Sequence, residues 1–132
     1  MSKRDSRDPD RKAGVVVCRK NCGGDDEFLL VSSQKHKKSW VFPVGTVEKN
    51  ESLKSAAIRE CQEESGWIVK IPDETASAEI QDEFNNCFTF FKATAVEDTG
   101  DYESGREVIW VNKSDLKKFL PRIFSSVVDS LY

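Results

Sequence analysis

The stretch GTVEKNESLKSAAIRECQEESGW, residues 45–67, decides the fold assignment. From Ser52 to Ser65 it contains no Gly, Pro or Val, and residue types that favour helices dominate. Gly66 follows as a residue that can end a helix in the left-handed conformation. These start and stop signals predict a helix of about 3.5 turns.

Two carboxylates fall on the face of this predicted helix that should be buried. At about 100° per residue, Leu53, Ala57, Glu60 and Glu64 lie on one narrow stripe, and Glu63 lies about 60° away. Stacked like charges are unfavourable, more so when partly desolvated, unless a cation lies between them. Carboxylate oxygens suit Mg²⁺ or Mn²⁺. The alternative is a solvated acidic face, and helical spacing alone leaves both interpretations open.

The wider pattern favours the metal site. Gly45, Glu51 and the run RECQEESGW at 59–67 match the glycine, acidic and arginine positions of the Nudix box, so the segment resembles that of the Nudix hydrolases. Cys61 and Trp67 stand where the family usually has aliphatic residues, which affects packing more than chemistry. In the family the box forms a loop, helix and loop on an α/β/α sandwich. The resemblance therefore implies an α+β fold with a mixed β-sheet.

The resemblance also assigns roles to the acidic residues. It implies that Glu60 and Glu64 bind Mg²⁺ or Mn²⁺ and that a backbone carbonyl at Val44 or Gly45 completes the metal site. Glu63, which is also a candidate metal ligand, is expected to activate or orient the attacking water, with Glu64 beside it in catalysis. Which glutamate is the base varies within the family. Such a site suits a phosphoanhydride, because metal ions neutralise the charge that develops on its oxygens.

A structural ion pair is expected at the start of the same helix. Arg59 lies one turn before Glu63 but could also reach back to Glu51. The family resemblance favours the pair between Glu51 and Arg59.

The substrate is indicated by residues outside the box. The stretch LLVSSQKHKKSWVFP, residues 29–43, resembles the diphosphoinositol polyphosphate phosphohydrolases, which also cleave dinucleoside polyphosphates such as diadenosine hexaphosphate. The likeness extends weakly to residues 11–13 and 105–106. The residues expected to hold the polyphosphate are Arg11, Lys12, Ser33, Gln34, Lys35 and Arg106. The alternative for the lysines at 35, 37 and 38 is a solvated loop tip.

Two departures from this subfamily bear on the substrate. Val44-Gly45-Thr46 replaces a run of three glycines, so the backbone there approaches phosphates less closely. Residues 82–87 lack the basic side chains with which the subfamily grips highly phosphorylated inositols. We therefore hypothesise a preference for diadenosine polyphosphates over inositol pyrophosphates.

Other functions stay open. A nucleoside triphosphate pyrophosphatase or a cap-type hydrolase would use the same box, and capped RNA is therefore an alternative substrate. A non-catalytic polyphosphate-binding module usually has a degraded glutamate set, whereas the set here is intact. Four aromatic residues could stack on a base, although their strand spacing also suits core packing: Trp40, Phe84, Phe88 and Phe90.

The rest of the chain predicts one domain, residues 13–132, after a mobile polar arm at residues 1–12. Hairpins are expected from strands at 13–18 and 27–31 and from strands at 78–84 and 87–96. A short strand is expected at 40–42, ended by Pro43 and Gly45, and another at 108–111. Two terminal helices are expected, one capped by Ser114 and one running from Pro121 to Leu131.

Composition limits the partners and the compartment. The net charge is −3, so no global basic field supports nonspecific binding of nucleic acid. No apolar run reaches the roughly 20 residues that span a bilayer, and no signal peptide is apparent. Four cysteines are too few for a disulfide scaffold and fit free thiols. We expect a cytoplasmic monomer, possible also in the nucleus, that acts on a small polyphosphate without a membrane.

Overall fold

One mixed sheet of eight strands forms the centre of the computed structural model, which describes residues 11–34, 39–73 and 76–132. The strands are β1 (Arg11–Lys20), β2 (Asp26–Ser32), β3 (Trp40–Val41), β4 (Val44–Thr46), β5 (Trp67–Lys70), β6 (Ser77–Gln81), β7 (Cys87–Asp98) and β8 (Val108–Asn112). The helices are α1 (Leu53–Ser65), α2 (Leu116–Phe119) and α3 (Arg122–Leu131), with a 3-10 turn at Lys113–Asp115. The expected α+β class with a mixed sheet is confirmed.

Strand β1 organises the sheet because it pairs with three different neighbours. It runs parallel to β7 from Arg11 opposite Cys87 to Cys18 opposite Thr94. On its other edge it pairs with β2 only at residues 18–20 and with β4 at residues 12–14. The strands β1 and β2 thus diverge, and β4 occupies the opening. A Cβ at Gly14 would collide with the carbonyl oxygen of Pro43, so glycine permits this close approach.

Side chains alternate between two apolar layers, one on each face of the sheet. One layer contains Val16, Phe28, Leu30 and Phe90 and packs against Leu116, Val127 and Val128 of α2 and α3. The other contains Val15, Val17, Leu29 and Phe91 and packs against Ala56, Ala57 and Cys61 of α1. Helices therefore cover both faces, which is the layered sandwich that the resemblance implied.

Helix α1 forms where the sequence predicts it. The side chain of Ser52 accepts a hydrogen bond from the amide of Ser55 at 3.1 Å, and Gly66 ends the helix at φ 79°. Ala56 and Ala57 are fully buried, so the helix lies close to the sheet.

Two expectations about secondary structure need correction, and one strand was missed. The short strand does end before Pro43, but Gly45 does not stop the pairing, because it lies inside β4. Strand β5, unpredicted, pairs with β7. Ser114 is not the cap of a terminal helix: the side chain of Asn112 accepts from the amide of Asp115, and the chain forms a 3-10 turn before the short α2.

The ends and the surface of the domain differ little from expectation. Strand β1 begins at Arg11, so Arg11 and Lys12 belong to the sheet and not to the expected arm. The rest of that arm, residues 1–10, and the loop lysines at 35, 37 and 38 lie outside the described residues. All four cysteines are free, as predicted. Among the described helices, none has the length and apolar character that crossing a membrane requires.

Candidate active site

Glu64 is a buried carboxylate near the end of α1. It is only 3% exposed, and its Oε1 accepts a hydrogen bond from the amide of Val44 at 3.1 Å. Arg106 Nη2 lies 3.8 Å from the other carboxylate oxygen. Burial and the neighbouring Glu60 raise the pKa of Glu64 to about 9 despite that guanidinium. Glu64 therefore favours its protonated form unless further positive charge comes close.

Glu60 lies against the backbone of β4. A Cβ added to Gly45 would overlap the carboxylate of Glu60, so this close packing needs a glycine at that position. The two carboxylates of α1 thus contact consecutive residues of one strand, Glu64 at Val44 and Glu60 at Gly45. This arrangement brings together the two glutamates and the backbone positions at which the family resemblance implies a metal.

Arg59 connects four acceptors around the box. Its Nε and Nη2 bind the two carboxylate oxygens of Glu51 at 2.7 and 2.9 Å. Its Nη1 lies 2.9 Å from Glu60 and 3.3 Å from Glu63, and its Nη2 also donates to the carbonyl of Thr46 at 3.1 Å. The guanidinium lowers the pKa of Glu51 to about 2. Arg59 therefore ties the loop before α1 to the glutamates in the middle of the helix.

Divalent metal ions fit the donor set of this site. Glu60 and Glu64 supply hard oxygen ligands, and a neighbouring cation would reverse the rise in the pKa of Glu64. Within residues 11–34, 39–73 and 76–132, no three or more His, Cys, Asp or Glu side chains converge on a common point. Glu60 and Glu63 instead bind Arg59, so a metal ion would share these carboxylates with the guanidinium or displace it.

Arg106 links the box helix to the end of β2. Its Nη1 donates to the carbonyl of Ser32 at 2.7 Å and its Nε to Glu103 at 2.9 Å. The amide of Glu103 binds the carbonyl of Glu63 at 2.9 Å, so this loop is also anchored to α1. Sequence reasoning missed Glu103, although its position three residues before Arg106 was a usable signal for a turn-forming pair.

A cleft of about 490 Å³ adjoins β4 on the side away from α1. Its lining includes Lys12, Ser33, Gln34 and Arg106, four of the six residues expected to hold polyphosphate. Lys12 Nζ also donates to Thr46 Oγ1 at 2.8 Å. Arg11 is exposed and is not part of the lining, and Lys35 lies outside the described residues.

Three of the four aromatic residues that the sequence offered for stacking line this cleft, namely Phe84, Phe88 and Phe90, whereas Trp40 does not. The wall of the cleft is formed by five phenylalanines together with two polar residues of the turn between β6 and β7: Phe42, Phe84, Phe88, Phe90, Phe124, Asp82 and Asn86. Phe42 and Phe124 were not named, because they come from segments distant from this hairpin and periodicity within one strand could not reveal that they meet it.

The sequence of the chain is similar to that of known proteins. The NUDIX domain signature matches residues 8–126. Human diphosphoinositol polyphosphate phosphohydrolase 2 is 31% identical over 114 residues, which cover 83% of this chain and 62% of that protein. The chain thus spans about three fifths of that relative's length.

Solved structures share the fold at lower identity. An Ap4A hydrolase of C. elegans superposes with a TM-score of 0.73 at 23% identity, covering 92% of this chain and 94% of the other. A NUDIX hydrolase from Nitrosomonas europaea has a TM-score of 0.74 at 18% identity, covering 92% and 86%.

Proposed function

The chain belongs to the NUDIX domain family, and from this premise we propose that it hydrolyses phosphoanhydride bonds with the help of divalent metal ions. The observation that carries the proposal is the pair of carboxylates of Glu60 and Glu64 held against β4, beside a cleft that contains Lys12 and Arg106. Nudix hydrolases generally need such ions. The buried Glu64, with its raised pKa, is suited to binding one.

The roles of the box residues follow from their contacts. Glu60 and Glu64 would hold Mg²⁺ or Mn²⁺, together with a carbonyl oxygen of Val44 or Gly45. Glu63, whose side chain is 48% exposed, can reach a water molecule and accept its proton or orient it for attack. Arg59 restrains Glu60 and Glu63. When bound, the metal ions would neutralise the charge that builds on the phosphate oxygens.

The proposed substrates are small polyphosphates, namely diphosphoinositol polyphosphates, dinucleoside polyphosphates such as diadenosine hexaphosphate, or both. Lys12, Ser33, Gln34 and Arg106 line one cleft and are proposed to hold the phosphates, with Arg11 and Lys35 as further candidates. Single nucleoside triphosphates and capped RNA are the alternative substrates of the same chemistry. We also propose a monomer that acts in the cytoplasm or the nucleus without a membrane partner.

Product analysis by ion-exchange chromatography tests the proposal. The protein is incubated with diadenosine hexaphosphate, a diphosphoinositol pentakisphosphate or mixed nucleoside triphosphates, each with magnesium and with EDTA. We expect magnesium-dependent cleavage of one of the first two, lost in Glu64→Gln and retained in Gln62→Ala, a change at an exposed position of α1. If the protein cleaved only the nucleoside triphosphates, these would be its substrates in place of the two proposed polyphosphates. Failure of the folded protein to cleave any of the three would reject the proposal.

A further inference from the structure

The ammonium group of Lys12, at the edge of the cleft, is held by the side chain of Thr46. We propose that Thr46 is a positioning residue that fixes Lys12 for contact with a phosphate group of the substrate. Lys12 and Gly45 line the cleft, whereas Thr46 is not among the described lining residues. Thr46 would therefore act through Lys12 and not by touching the substrate. This inference rests on the proposed function, because it concerns the binding of the same polyphosphates.

Lys12 and Thr46 face each other across two paired strands. They are partners in the antiparallel register of β1 and β4, and Lys12 Nζ donates to Thr46 Oγ1 at 2.8 Å. The amide of Val47 donates to the carbonyl of Arg11 at 3.1 Å and continues the pairing beyond them. Side chains that are directly opposite in such a register lie close enough to interact. The pairing of the sheet therefore sets the contact between Lys12 and Thr46.

The backbone of Thr46 is itself fixed by the box. Arg59 Nη2 donates to the carbonyl of Thr46 at 3.1 Å, and the same guanidinium binds the two carboxylate oxygens of Glu51 at 2.7 and 2.9 Å. A threonine side chain is branched at Cβ, which restricts its rotation about χ1. The hydroxyl of Thr46 therefore has a defined place, and it offers the ammonium of Lys12 a fixed acceptor.

Asp82 is a competing partner for Lys12 in the same cleft. The pKa of Asp82 is lowered chiefly by the side-chain hydrogen bond from Asn86, and the positive charge of Lys12 adds to this shift. A carboxylate that paired with the ammonium would neutralise its charge. A hydroxyl accepts the hydrogen bond and leaves the charge available to a phosphate. Thr46 thus holds Lys12 beside β4 as a cation that a phosphate can bind.

The contact is a departure from the subfamily that the sequence resembles. That subfamily has glycine where this chain has Thr46, and glycine offers no hydroxyl to a lysine. In the place of a flexible glycine, this chain has a side chain that fixes a cation of the cleft. Removal of the hydroxyl leaves the backbone contact between Thr46 and Arg59 in place. We therefore expect Thr46 to affect substrate affinity and not the chemical step.

Calorimetric binding of inorganic tripolyphosphate in EDTA at low salt tests the inference without turnover. The proteins are the unmodified chain, Thr46→Val, Thr46→Ser, Lys12→Ala and the double variant that combines Lys12→Ala with Thr46→Val. Valine keeps the branched shape of threonine and removes the hydroxyl. Thr46→Val should weaken binding about threefold, whereas Thr46→Ser should retain it. In the Lys12→Ala background Thr46→Val should change nothing, because the residue through which it acts is gone.

A kinetic measurement separates positioning of Lys12 from a general structural role. With magnesium and diadenosine hexaphosphate, Thr46→Val should raise KM about threefold and change kcat less than about twofold. The effect on KM should shrink at high salt, as expected of a contact with a charged phosphate. Thr94→Val is the matched control, because Thr94 is an exposed threonine of β7 that is not among the described lining residues.

The outcomes separate this inference from the proposed function. An effect of Thr46→Val that is the same with and without Lys12, or no effect on the binding of tripolyphosphate, would overturn the role of Thr46 even if the protein cleaves polyphosphates. Failure of the unmodified protein to bind tripolyphosphate would also overturn it. Coupling between Thr46 and Lys12 in a protein that cleaves nothing would support the role of Thr46 and refute the hydrolase.

Discussion

The carboxylate box and the adjoining cleft are built in opposite ways. Most side-chain contacts of the box join residues within about twenty positions of one another: Arg59 binds Glu51 and Glu63, and Glu64 accepts a hydrogen bond from Val44. Arg106, 3.8 Å from Glu64, is a long-range exception. The cleft takes Lys12 from β1, Ser33 after β2, Phe84 from a hairpin and Phe124 from α3. The residues proposed for the chemical step thus lie close together in the sequence, whereas the residues proposed to select the substrate come from distant segments. Changes in the box should therefore lower kcat, and changes in the cleft should raise KM.

The sharpest test of the box is Glu64→Gln. We expect kcat to fall about a thousandfold, because the substitution removes a charged ligand of the proposed metal site. Stability should stay the same or rise, because a neutral amide replaces a buried carboxylate whose pKa is raised to about 9. Steady-state kinetics and thermal unfolding measure both effects. A rate close to that of the unmodified enzyme would refute the assignment of Glu64.

Gly45→Ala tests the close packing between β4 and α1. The new Cβ would overlap the carboxylate of Glu60, so either the strand or the side chain must move. We expect a rate at least about tenfold lower and a free energy of unfolding about 1–3 kcal/mol lower. Gly23→Ala is the matched control, since its Cβ would meet nothing closer than 3.4 Å. An equal effect of both substitutions would contradict the packing argument.

The substitution Lys12→Ala tests whether the cleft contributes to substrate binding and the box to the chemical step. Lys12 lines the cleft, and its Nζ donates to the hydroxyl of Thr46, so its loss should raise the KM for a polyphosphate about fivefold, equivalent to about 1 kcal/mol. The kcat should change less than about twofold. The effect should shrink at high salt. Lys20→Ala, at the other end of β1, is the control. If Lys12→Ala lowered kcat and left KM unchanged, Lys12 would take part in the chemical step and not in substrate binding.

The smallest expected effect concerns stability and acid. Arg59 lowers the pKa of Glu51 from its usual value near 4.5 to about 2, so the pair stabilises the fold above pH 4.5. That contribution is lost as the pH falls towards 2. We therefore expect Glu51→Gln to be less stable than the unmodified protein at pH 7 and the difference to shrink between pH 5 and pH 2. Urea unfolding at several pH values measures it, and a constant difference would argue against the ion pair as its source.

The same contrast explains which parts of the structure the sequence could predict. Helix α1 was predictable because Ser52 and Gly66 act on residues within one turn of themselves. Strand β4 has only three residues and exists because β1 and β2 diverge, which depends on the whole sheet. The residue types at 44–46 therefore do not indicate this strand.

Site residues follow the same rule. The glutamates of the box could be proposed because residues 45–67 resemble the Nudix box and lie in one short stretch of sequence. The contact of Arg106 with the carbonyl of Ser32 joins residues 74 positions apart and could not be proposed in that way. The turn at Asn112 shows a further limit, because Asn112 and Ser114 both favour helix starts and only the packing selects one.

The parallel pairing of β1 with β7 also affects how the chain comes to be folded. During synthesis the hairpin of β1 and β2 and the whole of α1 emerge well before β7, which must then pair with β1, β5 and β6. Contacts between such distant segments form slowly, since the intervening chain must first lose its freedom. The helix that carries the carboxylates is thus translated before β7, whereas Arg106, which lies 3.8 Å from Glu64, is translated after it. The surroundings of Glu64 are therefore complete only when the last part of the sheet has formed.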